Sequence, residues 1–517
     1  MNRLSTFLGS TALVFAGSAA FADLTAEQTW DNQSAYLSAM GYSVNAVQSR
    51  NGDVLTITNL SARLDLPLGV GFLTYSFGQL SLTENGDGTV TITVPDTQPI
   101  DVVVDMTIDG ENAVFTLSAE MATSNFSMLA SGDPSTVTYV STADTTAFTS
   151  NNFEVIVDGE RVMEIEEELD WAVFFQTANV NTTTVIDTSG SGVAVTTDTE
   201  MDQMIYDVSV NIEREIDFQI VGGMGGITSH SAVTLPANGM DLMNLSPALR
   251  ARLSITSESE AFDGQSQTII RENGTVISNQ SQTVESQSSS FSFDQNGLSI
   301  FSSAQNVTTI VAPSDDLPIE VVVEIGEASL DLSIPLLADT SLQAARFALR
   351  LADVNVSDEM WSMADRGNAL PHEPVTIDID VTADILLSHD LLDFVPLFEF
   401  LEDGGIPVEL HGLTLTKFDV DGLGVIADAT GAFVFDNNDL QTFGGFPAPQ
   451  GSAEVTVQGA NTLMDSLVTM GMLGQNDIMG ARMMMGMFAN VIGDDIINSV
   501  LEVTADGHIF ANGQQLQ

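Results

Sequence analysis

The chain predicts a mainly β fold: an elongated antiparallel twisted sheet, or sheets, with an N-terminal helix and a C-terminal helical pair. Three observations predict it. Apolar and polar residues alternate with period two through most of the length. Pairs of Asp or Asn followed by Gly punctuate the alternating runs. Helical spacing replaces period two only near the two ends of the chain.

Residues 1–22 stand apart. Arg3 supplies a positive start, Leu4 to Ala19 an apolar stretch, and Ala20-Phe21-Ala22 a small-residue cleavage signal. The stretch is too short and wrongly flanked for a spanning helix and reads as a secretory signal peptide cut between Ala22 and Asp23. The expectation is a mature protein in the periplasm or secreted. A β-rich region of residues 23–517 follows, in two modules, 23–245 and 246–517. No later stretch is apolar enough over a sufficient length to cross a bilayer as a helix.

The mature start has the spacing of a capping box, Thr25-Ala26-Glu27-Gln28, with Thr25 as N-cap. Trp30, Leu37 and Met40 lie near one face, and Gly41 suits the position after the helix. Strands come next. Leu55 and Ile57 alternate with Thr56 and Thr58; Val102, Val104, Met106 and Ile108 oppose Asp101, Asp105 and Thr107; Ile377, Ile379 and Val381 oppose Asp378, Asp380 and Thr382. One dry and one wet face per strand is the mark of antiparallel sheet. Asp87-Gly88, Asp158-Gly159, Asn273-Gly274, Asn296-Gly297 and Asp506-Gly507 are hairpin signals, because Asx and Gly tolerate positive φ. The Ser/Gln/Thr-rich stretch 254–311 predicts long, exposed strands. Near the end, Asn461 is the expected cap of a helix through Met472. Asp477 is the expected cap of a second helix through about Ile492, rich in methionine, with a closing hairpin after it.

Composition narrows the function. Against 71 Asp and Glu stand 13 Lys and Arg, a net charge of −58, with Lys417 the single lysine. Such a surface repels nucleic acid and anionic lipid headgroups. It reads as a solvated acidic coat, or more sharply as a divalent-cation-binding surface. No cysteine is present, which excludes thiol catalysis, cysteine-held metal centres and a lipoprotein anchor on cysteine. A hydrophobic fraction of 44% indicates a globular chain.

Motifs for chemistry are sparse. The five histidines lack the i, i+4 spacing of a zinc helix, and neither a Gly-x-Ser-x-Gly elbow nor a phosphate loop is present. Asn85-Gly86-Asp87-Gly88-Thr89 and Asp419-Val420-Asp421-Gly422 have alternate oxygen ligands without the full calcium loop, so they read as turns. Asp378 and Asp380 share a strand face, as glycosidase acids do, yet such pairs are expected by chance in so acidic a chain. The run Glu164–Asp170 reads as a solvated segment. The methionine-rich helix reads first as core packing and second as an adaptable contact surface. Trp361 reads as an aromatic anchor in a loop leading to the Ile377 strand.

Asp358-Glu359-Met360-Trp361-Ser362-Met363-Ala364-Asp365 followed by Ala369-Leu370-Pro371-His372-Glu373-Pro374 resembles the signature of an uncharacterised exported family of alphaproteobacteria, a domain of unknown function. Thr25 to Tyr42, Gly451 to Val457 and Asp506 to Gln514 look similar to it as well, so the resemblance spans nearly the whole mature chain. Arg366 stands where that family tends to place proline. The family carries no known activity and no catalytic residue. The general layout is also similar to AsmA-like envelope proteins, long twisted sheets whose apolar face forms a groove for lipid.

The resulting expectation is a non-enzymatic periplasmic cell-envelope protein that binds lipid on an apolar sheet face. Contacts are expected at Trp361, Met483, Met484 and Met487, with no catalytic, cofactor or metal residue. A second reading is a secreted structural or adhesive protein with an acidic, calcium-modulated surface. The third, a carbohydrate-active enzyme, rests only on the abundance of acid pairs.

Overall fold

In the computed structural model, the described residues are 23–516 except 109, 163–168, 213–214, 238 and 316. The signal-peptide segment 1–22 and most of the acidic run from Glu164 lie outside them.

The strands in chain order are β1 (Ser43–Asn51), β2 (Val54–Asp65), β3 (Gly71–Glu84), β4 (Val90–Thr93), β5 (Thr97–Ile108), β6 (Glu111–Ser124), β7 (Ser127–Asp133), β8 (Thr136–Val157), β9 (Glu160–Arg161), β10 (Leu169–Asp187), β11 (Val193–Ile212), β12 (Ile216–Leu235) and β13 (Ser254–Glu272). They continue as β14 (Thr275–Asp294), β15 (Gly297–Val311), β16 (Val321–Ile334), β17 (Gln343–Val356), β18 (Val375–Leu387), β19 (Val408–Gly422), β20 (Val425–Asp436), β21 (Ala448–Gln458), β22 (Asn490–Gly493), β23 (Ile496–Val503), β24 (Ile509–Ala511) and β25 (Gln514–Gln515). All belong to one antiparallel sheet of 25 strands. It is a meander. Each long strand pairs with the one before it and the one after it, and β4 with β5, like β6 with β7, share one rank end to end between β3 and β8. Strands β12 and β13 pair on either side of residue 245. The stretch 254–311 forms β13 to β15, the long strands its composition predicts.

Asn273 and Gly274 both have positive φ, as a two-residue hairpin requires. Left-handed residues also occur where no turn exists. Asn59, Asn179, Gly226, Asp263, Asn306 and Asp353 have φ near +50° in mid-strand, and Asn125 has the same conformation between β6 and β7. Cross-strand register sets several of them in a row: Asn59 lies opposite Gly78, Asn125 opposite Asp144, Asn179 opposite Asp202, Asn306 opposite Glu285 and Asp353 opposite Gly326. A left-handed residue interrupts the pleat, so the strand bends there and the alternation of sides slips by one. In β11 the apolar side passes from Val193 and Val195 to Met204, Tyr206 and Val208. Neighbouring strands slip together, so the apolar side stays continuous across the crease. Amide–carboxylate bonds hold it: Asn179 Nδ2 donates to Asp202 Oδ2 at 2.7 Å, Asn125 Nδ2 to Asp144 Oδ2 at 2.5 Å, and Asn306 Nδ2 to Glu285.

Helix α1 (Ala26–Ala39) begins with the expected box. Thr25 Oγ1 accepts from Gln28 N at 3.2 Å, and Gln28 Oε1 accepts from Thr25 N at 3.0 Å. Gly41, at φ +95°, follows its end. The helix lies on the apolar side of the sheet, touching β1 to β3 and β10 to β11, so the sheet curls around it. Trp30, Leu55, Ile57, Leu80, Leu82, Val90, Ile92, Val137, Ile186 and Val193 form the core beneath it. Burying each such aliphatic side chain contributes about 1.5–3 kcal/mol. Two polar anchors complete the seat. Asn32 bonds Tyr139 Oη at 3.0 Å, and burial pushes the Tyr139 phenol pKa up. Arg50 on β1 bridges Glu27 of the helix at 2.7 Å and Glu84 of β3 at 2.8 Å.

Three helices are additions to the sequence reading, and the expected C-terminal pair differs from it at its ends. Helix α2 (Ser246–Arg250) extends the core with Leu249 and Leu253, and its Arg250 pairs with Asp390. Helices α3 (Asp358–Ala364) and α4 (Phe394–Glu402) form where the periodicity gives no clear helical run, and Trp361 lies inside α3 rather than in a loop. The C-terminal pair is α5 (Ala460–Thr469) and α6 (Gln475–Phe488). Gly459 caps α5, so Asn461 is inside the helix. Gly474 starts α6 and Asp477 accepts its N–H at 3.1 Å from the first turn. The second helix stops at Phe488 because 490–493 pair with β23.

Candidate functional site

Cross-strand register defines the two faces residue by residue, because directly opposite residues share a side. On one side lie Leu60, Leu73, Val102 and Phe115 near one end, Val173, Val208, Phe218 and Ile270 in the middle, and Leu332, Phe347, Val381 and Leu415 beyond them. Followed from β2 to β21, this face carries no Asp, Lys, Arg or His among the described residues, and its glutamates, Glu84, Glu111, Glu160 and Glu272, all stand at strand ends. In a chain of net charge −58 the middle of the sheet is thus charge-free on this side.

The remaining charges stand on the opposite face. Across β16 to β19 they form ladders. Arg350 joins Glu327 at 3.1 Å and Asp378 at 2.7 Å; Lys417 joins Asp378 at 2.6 Å and Asp419 at 3.3 Å; Arg346 bridges Asp331 and Asp380. Burial pushes the Asp378 carboxyl pKa up, but the hydrogen bonds from Lys417 and Arg350 outweigh it and hold the group below its ordinary value. Asp378 and Asp380 are thus neutralised structural acids and do not form a general acid–base pair. Asp87 is held by Thr89 N and Oγ1 in its turn. Farther along the same face, Asp198, Glu200, Glu258 and Glu260 surround His230, which contacts Asp198 at 2.6 Å, in a hollow of about 400 Å³. No group of three or more potential metal ligands is placed to hold an ion among the described residues.

The uncharged face is covered unequally. Under α1 and α2 it is a closed core. Elsewhere single residues such as Val155, Val307 and Leu387 are buried, but Phe175, Tyr75, Phe291, Leu330 and Phe347 all remain accessible to solvent. An aromatic cluster lines part of it, with Phe153 between Phe115 and Trp171 at 6.3 Å from each and Phe175 against Tyr206 at 6.4 Å. A Cβ at Gly222 would meet Tyr206 Oη at 2.5 Å, so glycine lets the Tyr206 side chain lie across β12.

One row of this face changes character along its length. Leu55, Leu82, Ile92 and Met128 lie opposite one another in turn, followed by Ser141, Thr182, Thr199, Ser229, Ser259, Ser289 and Ser302, then by Leu330, Leu349, Ile379 and Phe418. The hydroxyl section crosses β8 and β10 to β15, about 30 Å at the usual strand spacing. Thr182 and Thr199 approach to 3.3 Å, Ser259 and Ser289 to 2.8 Å. Neither this ladder nor the crease was read from the sequence. The available signals were hydroxyls recurring in phase on adjacent strands, and the slip of the alternation at Asn, Asp or Gly in mid-run.

The sequence-predicted contact residues lie elsewhere. Trp361, half-buried on α3, stacks on His372 at 4.3 Å and 7°. His372 Nε2 sits 3.3 Å from buried Asp365, and the backbone N–H groups of Ala369 and Leu370 hold the Asp365 carboxyl below the usual range. Met483, Met484 and Met487 project from α6 and are exposed, as is Met479; core packing, the first reading of this helix, is not what it does. Ser466 of α5 donates to Ala369 O at 2.7 Å, which ties the helical pair to the loop that follows α3. None of the four predicted residues is on the uncharged face. No helix among the described residues is long and apolar enough to cross a membrane. No protein-family model, no curated protein and no solved structure matches the chain.

Proposed function

We propose that this chain is a non-enzymatic periplasmic protein of the cell envelope that holds lipid on the uncharged face of its sheet. One observation carries the reading: a face free of charge away from the strand ends across β2 to β21, with a closed core under α1 and α2 and many of its other apolar side chains accessible to solvent. An exposed apolar expanse of this extent is unfavourable in water and is relieved by an apolar ligand or partner. The start of the chain, with its Ala20-Phe21-Ala22 signal, supports export. The test is native mass spectrometry of the mature protein purified without detergent, with organic extraction in parallel. Co-purifying lipid is the expected result. A clean protein mass with nothing extractable counts against the function.

A further inference from the structure

Resting on the lipid reading, the hydroxyl ladder names the class of lipid. We infer that the sheet takes an uncharged glycolipid, its sugar on the ladder between Ser141 and Ser302 and its hydrocarbon on the aliphatic rows of β16 to β19.

Two arguments select an uncharged ligand. An ionised headgroup on the ladder or on the β16 to β19 rows loses water and meets no counter-charge, since the one carboxylate of these strands on this side, Glu272, stands at the far end of β13. An anionic one is also repelled by the net charge of −58. Two further arguments select a sugar. Each Ser or Thr hydroxyl both donates and accepts, which matches a polyol edge and is wasted on hydrocarbon. The side-chain hydroxyls of Ser141, Ser229 and Ser302 have no hydrogen-bond partner among the described residues, so the ladder retains unspent capacity. The junction fixes the orientation: Ser302 lies directly opposite Leu330, and Leu330 opposite Leu349, so polar and apolar binding surfaces meet in one row with no break in the sheet.

The mature full-length protein, stripped of lipid, is offered monoglucosyl-dioleoylglycerol, dioleoylphosphatidylglycerol and free glucose in separate arms, with retention read by native mass spectrometry. The expected result is retention of the glucolipid at least about ten-fold above the phosphatidylglycerol, with glucose not retained. The variant Ser229→Ala/Ser259→Ala/Ser289→Ala is expected to erase most of that preference while leaving phosphatidylglycerol retention unchanged. Its far-UV circular dichroism and thermal midpoint establish that it is folded, and single Ser259→Ala and Ser289→Ala variants serve if it is not. Equal retention of the two lipids, a preference that survives the substitutions, or retention of glucose alone would overturn the glycolipid assignment while leaving a lipid-binding face. Retention of neither lipid would overturn the lipid reading, and this inference with it.

Discussion

Leu82 and Leu330 stand in the same row on the same face of the same sheet, yet Leu82 is fully buried and Leu330 is 37% exposed. The first lies under α1. The second lies in the field of β16 to β19, which no helix covers. Alternation places both leucines on the apolar side, but only a second layer converts that side into a core. The uncovered region compensates on its other face, where the Arg346, Arg350 and Lys417 ladders tie four strands together.

Truncating one aromatic in each region should separate the two most strongly. Trp30→Ala, at 5% exposure, is expected to cost about 3–5 kcal/mol in urea unfolding. Phe347→Ala, at 41% exposure on the same face, is expected to cost about 1 kcal/mol or less. Equal costs would mean that the β16 to β19 field is packed as tightly as the core beneath α1.

The crease supplies a smaller effect that bears on both regions, because it keeps their apolar sides on one face. Asn179→Val puts a β-branched side chain at φ +50° and is expected to lower stability by about 1–2 kcal/mol. Asn179→Gly, which also lacks the amide bond to Asp202, is expected to recover most of that loss. A valine variant as stable as the parent in the same unfolding measurement would remove the conformational role assigned to the row.

The smallest effect concerns the far end of the uncovered region, where polar contacts replace burial. Asp495 accepts from the backbone N–H groups of Asn461 and Thr462 and from both side chains, at 2.8 to 3.0 Å, and so caps α5 from the β22–β23 turn. Burial pushes its carboxyl pKa up, but these bonds outweigh it and bring it down to about 2 from 3.8. Because the folded value is the lower one, the contribution is present above the unfolded value and is lost as pH falls toward about 2. Amide exchange in α5 is expected to accelerate over that window, by the equivalent of about 1 kcal/mol, with α1 unaffected. Asp495→Asn should flatten the dependence; if α5 in that variant still loosens between pH 4 and 2, another group is responsible.

The readable parts of this molecule are those governed by neighbours in sequence. Thr25 and Gln28 are three residues apart, so their capping box is visible before any folding. Asn273-Gly274 demands a tight turn whatever surrounds it. The period-two runs identify strands because side is fixed by parity alone. Helices α3 and α4 are short and lack a long amphipathic repeat, so nothing local announces them. The methionines of α6 carry the same hydrophobic signal whether packed or exposed. Their exposure depends on what lies next to them, and the run itself holds no record of that.

By itself the amino-acid sequence determined an acidic chain of alternating strands with a helix near Thr25 and two more near the end, because parity, turn chemistry and caps act over a few residues. Only the tertiary structure decided that Ser141 and Ser302, 161 positions apart, belong to one ladder, that Asp378 is neutralised rather than poised, and that Leu82 is core while Leu330 is surface. Those outcomes depend on register between strands and on the one place where a helix lies over the sheet. Both are set by contacts among distant residues, which alternation within a strand does not specify.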